Sequence, residues 1–111
     1  MLVDAEDKIP MKIGVLRPGM EHVDLEVRVL QLDEPRKVTS YTGVEHVLVD
    51  GEVDDETGRA TLTVWNESIQ QLDGVEVGGM VELRNCFITS FQGVLQVNVG
   101  RGSEVIKRGR G

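Results

Sequence analysis

The sequence is poor in aromatics, cysteine and proline and has no long apolar run. A single cysteine, Cys86, excludes an internal disulfide and any zinc site built from several cysteines. No stretch approaches the roughly 20 apolar residues of a membrane-spanning helix, so no membrane association is expected. The N-terminal run Met1–Lys8 is acidic. A secretory signal begins basic and continues apolar, so a cytoplasmic protein is expected instead. The sequence contains no G-x-S-x-G, P-loop or G-x-G-x-x-G motif. His22 and His46 lack metal-ligand spacing to each other or to Cys86. The run Asp54-Asp55-Glu56 reads as a solvated acidic turn. Cys86 has no nearby base to activate it and reads as a buried, inert thiol. No catalytic residue, metal or cofactor is expected.

What remains is a chain of 111 residues, the length of one domain. Its net charge is −7. Taken alone, that argues against a polyanion-binding surface. The charge is uneven, however. Residues 1–56 hold 6 bases and 14 acids, whereas residues 57–111 hold 6 and 5. Any nucleic-acid site must therefore be a local patch on an acidic body. The aliphatic residues (18 Val, 10 Leu and 5 Ile) supply the core, and the excess of β-branched Val favours strands. Only four aromatics are present, Tyr41, Trp65, Phe87 and Phe91, so their placement becomes the central question.

Residues 1–12 read as a loose leader, with Pro10 opposing a helix. Ile13–Met20 closes on a Pro18-Gly19 turn signal. His22 to Leu32 alternates, with Val23, Leu25, Val27 and Val29 on one face. Leu30 and Leu32 break that parity, which predicts a bulge near Val29–Leu30. A second strand is predicted over Val44–Val53, with Gly51 as its weak point. After the Asp54–Gly58 turn, Arg59–Trp65 alternates, with Ala60, Leu62 and Val64 inward. Asn66 is a candidate N-cap for a short helix to Leu72. Met80–Phe91 and Val94–Val99 form two more strands around a Gln92-Gly93 turn. Gly100–Gly111 reads as a flexible tail. Five strands with a short helix between the third and fourth is the pattern of an OB-fold, a partly open barrel. A generic small β-barrel or sandwich is the alternative.

On the third strand Trp65 shares parity with Thr61 and Thr63, opposite the core face. It either points outward or turns under the short helix. Phe87 and Phe91 share a strand face about 13 Å apart, at roughly 3.3 Å per residue. If the Val81–Leu83 parity runs on, both face the core. A bulge at Asn85-Cys86 would instead send Cys86 and Ile88 inward and both phenylalanines outward. Thr89, Gln96 and Asn98 surround them with hydrogen-bonding groups. Arg36, Lys37, Arg59 and Arg84 could flank that face, and Tyr41 lies on the loop that carries Arg36 and Lys37. Stacking is worth about 1–3 kcal/mol per base and tolerates any base. A few platforms can therefore hold a single strand on an acidic protein. A duplex, with its bases already stacked, cannot lie on such a face.

Several segments resemble the simple archaeal single-stranded DNA-binding proteins, relatives of replication protein A domains. These are Ile13–Met20, Val27–Leu30, Asp55-Glu56-Thr57-Gly58-Arg59 running on to Leu62–Trp65, and Phe87–Gly93. The likeness covers about residues 13–105. It implies an OB-fold whose Trp65, Phe87 and Phe91 stack on bases, with Phe87 standing where the family has Trp. It also implies that Arg36 contacts the backbone, and that Tyr41 replaces a Lys. Arg-Gly repeats are common in the family's tails, and Gly100–Gly111 is a short counterpart. The expected function is sequence-tolerant binding of single-stranded DNA in replication, recombination or repair. The protein would act as a monomer near the nucleoid, with the tail available to replication or repair proteins. Single-stranded RNA, or a purely protein-binding module, are the competing expectations.

Overall fold

The computed structural model describes residues 9–110. The expectation of a loose leader falls for residues 1–8 outside the described residues. A 3₁₀ turn at Ile13–Val15 precedes strands β1 (Val23–Leu32), β2 (Arg36–Thr39), β3 (Glu45–Asp55) and β4 (Gly58–Trp65). A seven-residue 3₁₀ helix, Asn66–Leu72, leads to β5 (Gly79–Phe91), β6 (Val94–Val99) and β7 (Glu104–Arg110). The sheet runs β1-β3-β4-β6-β5 and closes through a β1–β5 pairing. Among the described strand pairs, β4–β6 alone is parallel. This is the five-stranded OB barrel expected from the sequence, with its short helix between the third and fourth barrel strands.

The alternating patterns pack as read. Val23, Leu25, Val27 and Val29 of β1 are buried, as are Ala60, Leu62 and Val64 of β4 and Val97 and Val99 of β6. The β1–β3 register slips between Val29 and Gln31, where the broken parity placed a bulge. Gly51 pairs with Leu32 just past that slip. A Cβ there would lie 2.3 Å from the Gln31 carbonyl oxygen, so only glycine lets the two strands approach. The Gln92-Gly93 turn has both residues at positive φ (53° and 83°), which suits a two-residue hairpin between right-twisted strands.

The Asp55–Gly58 turn does more than reverse the chain. The Asp55 carboxylate accepts hydrogen bonds from the Ile13 N–H (2.9 Å), the Thr57 N–H (2.7 Å) and the Thr57 hydroxyl (2.6 Å). The Thr57 hydroxyl oxygen in turn accepts from the Gly14 N–H at 2.8 Å. The turn thereby pins the N-terminal segment across one end of the barrel, with Ile13 and Leu16 buried beneath it. Burial by itself would raise the Asp55 carboxyl. The hydrogen bonds from Thr57 and from the Ile13, Thr57 and Gly58 backbone hold it below the ordinary carboxylate range.

Three local readings are corrected. Arg36–Thr39 is a strand rather than a loop, extending β3 into a hairpin beyond the barrel. Glu104–Arg110, expected within a flexible tail, pairs antiparallel with the first half of β5. The open edge there supplies the hydrogen-bond partners that a chain of low hydrophobicity would otherwise find in water. Asn66 does not cap its helix: it sits at φ 50°, and its side-chain oxygen accepts the Val47 N–H at 2.9 Å. Among the described residues, no helix is long and apolar enough to cross a membrane.

Candidate nucleic-acid interface

A second bulge builds the site. Val23 pairs with Cys86 and Leu25 with Leu83, so Arg84 and Asn85 of β5 oppose Asp24 alone. Asn85 takes φ 59°, a conformation asparagine tolerates better than most residues. Its N–H donates to the Asp24 carboxylate at 2.9 Å, and its side chain reaches the Gly102 carbonyl (3.0 Å) and the His22 ring (2.7 Å). The extra residue inverts the parity of everything after it. Cys86 and Ile88 turn into the core, while Phe87 (37% exposed) and Phe91 (64% exposed) turn out. Burial pushes the Cys86 thiol up to about 12, so the group is held as an unreactive thiol.

The register then sets one outer face. Across it, Thr63 pairs with Asn98 and Asn98 with Phe87, and one step along Thr61 pairs with Gln96 and Gln96 with Thr89. Phe91 pairs with Val94 at the hairpin end. Trp65, in phase with Thr61 and Thr63, ends β4 on the same face. It is half-buried and lies with them rather than under the 3₁₀ helix. The structure thus brings Trp65, Phe87, Phe91, Thr89, Gln96 and Asn98 together on β4, β6 and β5.

A hydrogen-bonded relay runs beneath the rings. The Trp65 Nε1–H donates to Asn98 Oδ1 at 3.1 Å. Asn98 Nδ2 donates to the Phe87 carbonyl (3.1 Å) and to Thr89 Oγ1 (3.0 Å). The Thr89 hydroxyl donates to Gln96 Oε1, also at 3.0 Å. The expectation that all three polar residues face a ligand is therefore refined. Asn98 is only 3% exposed and spends its amide inside the protein, whereas Gln96 keeps its NH₂ group unpartnered among the described residues.

Sequence reasoning missed His46. Its ring packs edge-on against the Trp65 indole, with centroids 5.6 Å apart and planes at 83°. His46 Nδ1 accepts from the Asn66 side-chain amide at 3.1 Å, because the amide oxygen is already taken by Val47. The signal was present: His46 shares the outward parity of Leu48 and Asp50, and Leu48 pairs with Trp65. A cavity of about 270 Å³ beside Phe87, walled in part by His22, Arg101 and Ser103, was likewise unforeseen.

The basic residues divide. Arg36 and Arg59 border the aromatic face but are held by carboxylates. Arg36 pairs with Asp50 at 2.5 Å, and Arg59 lies 3.8 Å from Glu52. Asp50 and Glu52 face Thr63 and Thr61 across β3 and β4, so an acidic row runs beside the platform. Lys37 and Tyr41 sit on the β2–β3 hairpin, with Tyr41 fully exposed at its tip. Arg84 is not brought to the face. It is the first residue of the bulge, pairs with Glu104 of β7, and binds Glu82 at 2.7 Å. The Arg84 bond, aided by Arg108, holds the Glu82 carboxyl below its ordinary range. Among the described residues, no group of His, Cys, Asp and Glu is arranged to hold a metal.

Comparison with known proteins places this geometry. The family described as single-stranded DNA binding protein Ssb-like, OB fold, matches residues 16–106. The chain is 35% identical over 94 residues to the single-stranded DNA binding protein Ssb of Saccharolobus solfataricus. That match covers 85% of this chain and 61% of the relative, so the chain spans about three-fifths of that protein's length. The fold is similar to the replication factor A related protein of Methanobacterium thermoautotrophicum (TM-score 0.76, 24% identity, 95% of this chain and 94% of that one). It is also similar to the second OB-fold domain of replication protein A from Methanococcus maripaludis (TM-score 0.73, 18% identity, 93% and 98%).

Proposed function

Because the chain belongs to the Ssb-like OB-fold family of single-stranded DNA-binding proteins, we propose that it binds single-stranded DNA largely without regard to sequence. The observation that carries this reading is the outward turn of Phe87 and Phe91 after the Asn85 bulge, onto the face that holds Trp65. Two phenylalanines on one strand keep part of their rings in water in the free protein, and an unpaired base supplies the missing surface. Their spacing of about 13 Å, at roughly 3.3 Å per residue, suits separate bases of an extended strand.

Trp65, Phe87 and Phe91 stack on bases. Gln96 offers a donor beside them. Arg36 and Arg59 line the edge, and Lys37 and Tyr41 approach from the hairpin. Both arginines must exchange a carboxylate for a phosphate, so stacking contributes more than charge. The role is protection of exposed strands in replication, recombination or repair, by a monomer without catalysis, in the cytoplasm at the nucleoid. Partner proteins docking on the C-terminal segment belong to the same reading.

Titration with oligo-dT, followed by the fluorescence of the single Trp, tests this. Strong quenching that survives moderate salt is the expected result. Parallel titrations with matched RNA and duplex DNA rank the three ligands, and DNA single strands should bind most tightly. Absence of both quenching and binding would remove the stacking role and leave a protein-interaction module.

A further inference from the structure

We propose that Asn98 is the positioning residue of the aromatic face, fixing the Trp65 indole and coupling it to Phe87. This rests on the stacking role given to those rings above. A tryptophan ring on a barrel exterior has two free torsions and, with no partner for its N–H, samples several poses. Here Nε1–H is tied to Asn98 Oδ1 at 3.1 Å, and His46 closes the ring edge-on. Asn98 is itself fixed, because its Nδ2 hydrogens go to the Phe87 carbonyl and Thr89 Oγ1.

One buried amide therefore joins the strand that carries Trp65 to the strand that carries Phe87, through its own strand between them. The chemistry calls for Asn at this place. Asp would lose both donors and bury a charge. Leu would leave the indole N–H without its acceptor and take from the Phe87 carbonyl and Thr89 Oγ1 the side-chain donor they share. The consequence is preorganisation: two stacking surfaces held in fixed relative orientation before a strand arrives, so less ordering entropy is lost on binding.

The test compares Asn98→Leu in the wild-type background and in Trp65→Phe, which keeps a ring but has no N–H. Affinity is read by fluorescence anisotropy of labelled oligo-dT. The expected loss is about tenfold in the wild-type background, the size of one lost hydrogen bond, and under about threefold beside Trp65→Phe. In the free protein, time-resolved anisotropy of Trp65 should gain a fast local component in Asn98→Leu that the wild type lacks. Equal losses in both backgrounds would overturn the proposal, as would a Trp65 ring that stays immobile. Should Asn98→Leu fail to fold, Asn98→Ser carries both comparisons. A wild-type protein that ignores oligo-dT would count against the binding role alone, because the free-protein anisotropy still decides whether Asn98 holds the ring.

Discussion

Replacing Phe91 by alanine separates stacking from stability. Phe91 is 64% exposed, so only about a third of its surface is removed from water by folding. Full burial of such a side chain is worth about 1.5–3 kcal/mol, so the variant should lose roughly 0.5–1 kcal/mol of stability. For a domain of this size that lowers Tm by about 2–8 °C. Stacking on a base is worth about 1–3 kcal/mol. At 1.4 kcal/mol per decade, affinity for oligo-dT should fall about 5- to 140-fold. The lost interaction carries no charge. The slope of log affinity against log salt should therefore stay as in the wild type, whereas losing one phosphate contact to a single strand would flatten it by about 0.7. Quenching of Trp65 across a series of salt concentrations measures both quantities at once. An affinity within about twofold of the wild type, in a folded variant, would refute the argument.

Other expectations follow from the scaffold. Asp55 is held below its unfolded value, so its contribution to stability is present above that value and is lost as pH falls through the folded one. Thermal unfolding of Asp55→Asn should show a constant deficit above about pH 5 that closes on acidification below about pH 4. The Cys86 thiol, buried and pushed up to about 12, should resist thiol reagents at pH 8 until denaturant unfolds the barrel. Gly51→Ala places a methyl group 2.3 Å from the Gln31 carbonyl oxygen, so β1 and β3 must separate. Calorimetry should show a loss of about 1–3 kcal/mol.

The barrel was legible because alternation at period two fixes which side chains enter a core, whatever lies across the sheet. Val23, Leu25, Val27 and Val29, and Ala60, Leu62 and Val64, are buried as their pattern dictates. The bulge at Asn85 was legible for a related reason: a polar residue at an inward position forces either an unsatisfied buried group or a shift of register. That shift alone turned both phenylalanines outward.

What tertiary structure decided lies in contacts between residues far apart in sequence. Arg36 and Arg59 read as bases flanking the aromatic face, yet each faces a carboxylate of β3, because pairing sets Asp50 and Glu52 on the same face. Asn98 read as a contact for a ligand, but its oxygen meets an indole 33 positions away. Arg84 read as part of the basic border, yet it opens the bulge and is drawn to Glu82 and the β7 edge. The segment after Gly100 looks loose because its sequence shows no strong alternation; the unpaired stretch of β5 gives it a partner. Local pattern determines which way a side chain points relative to the core. Which partner meets it there depends on strand order and register, and these exist only once the barrel has closed.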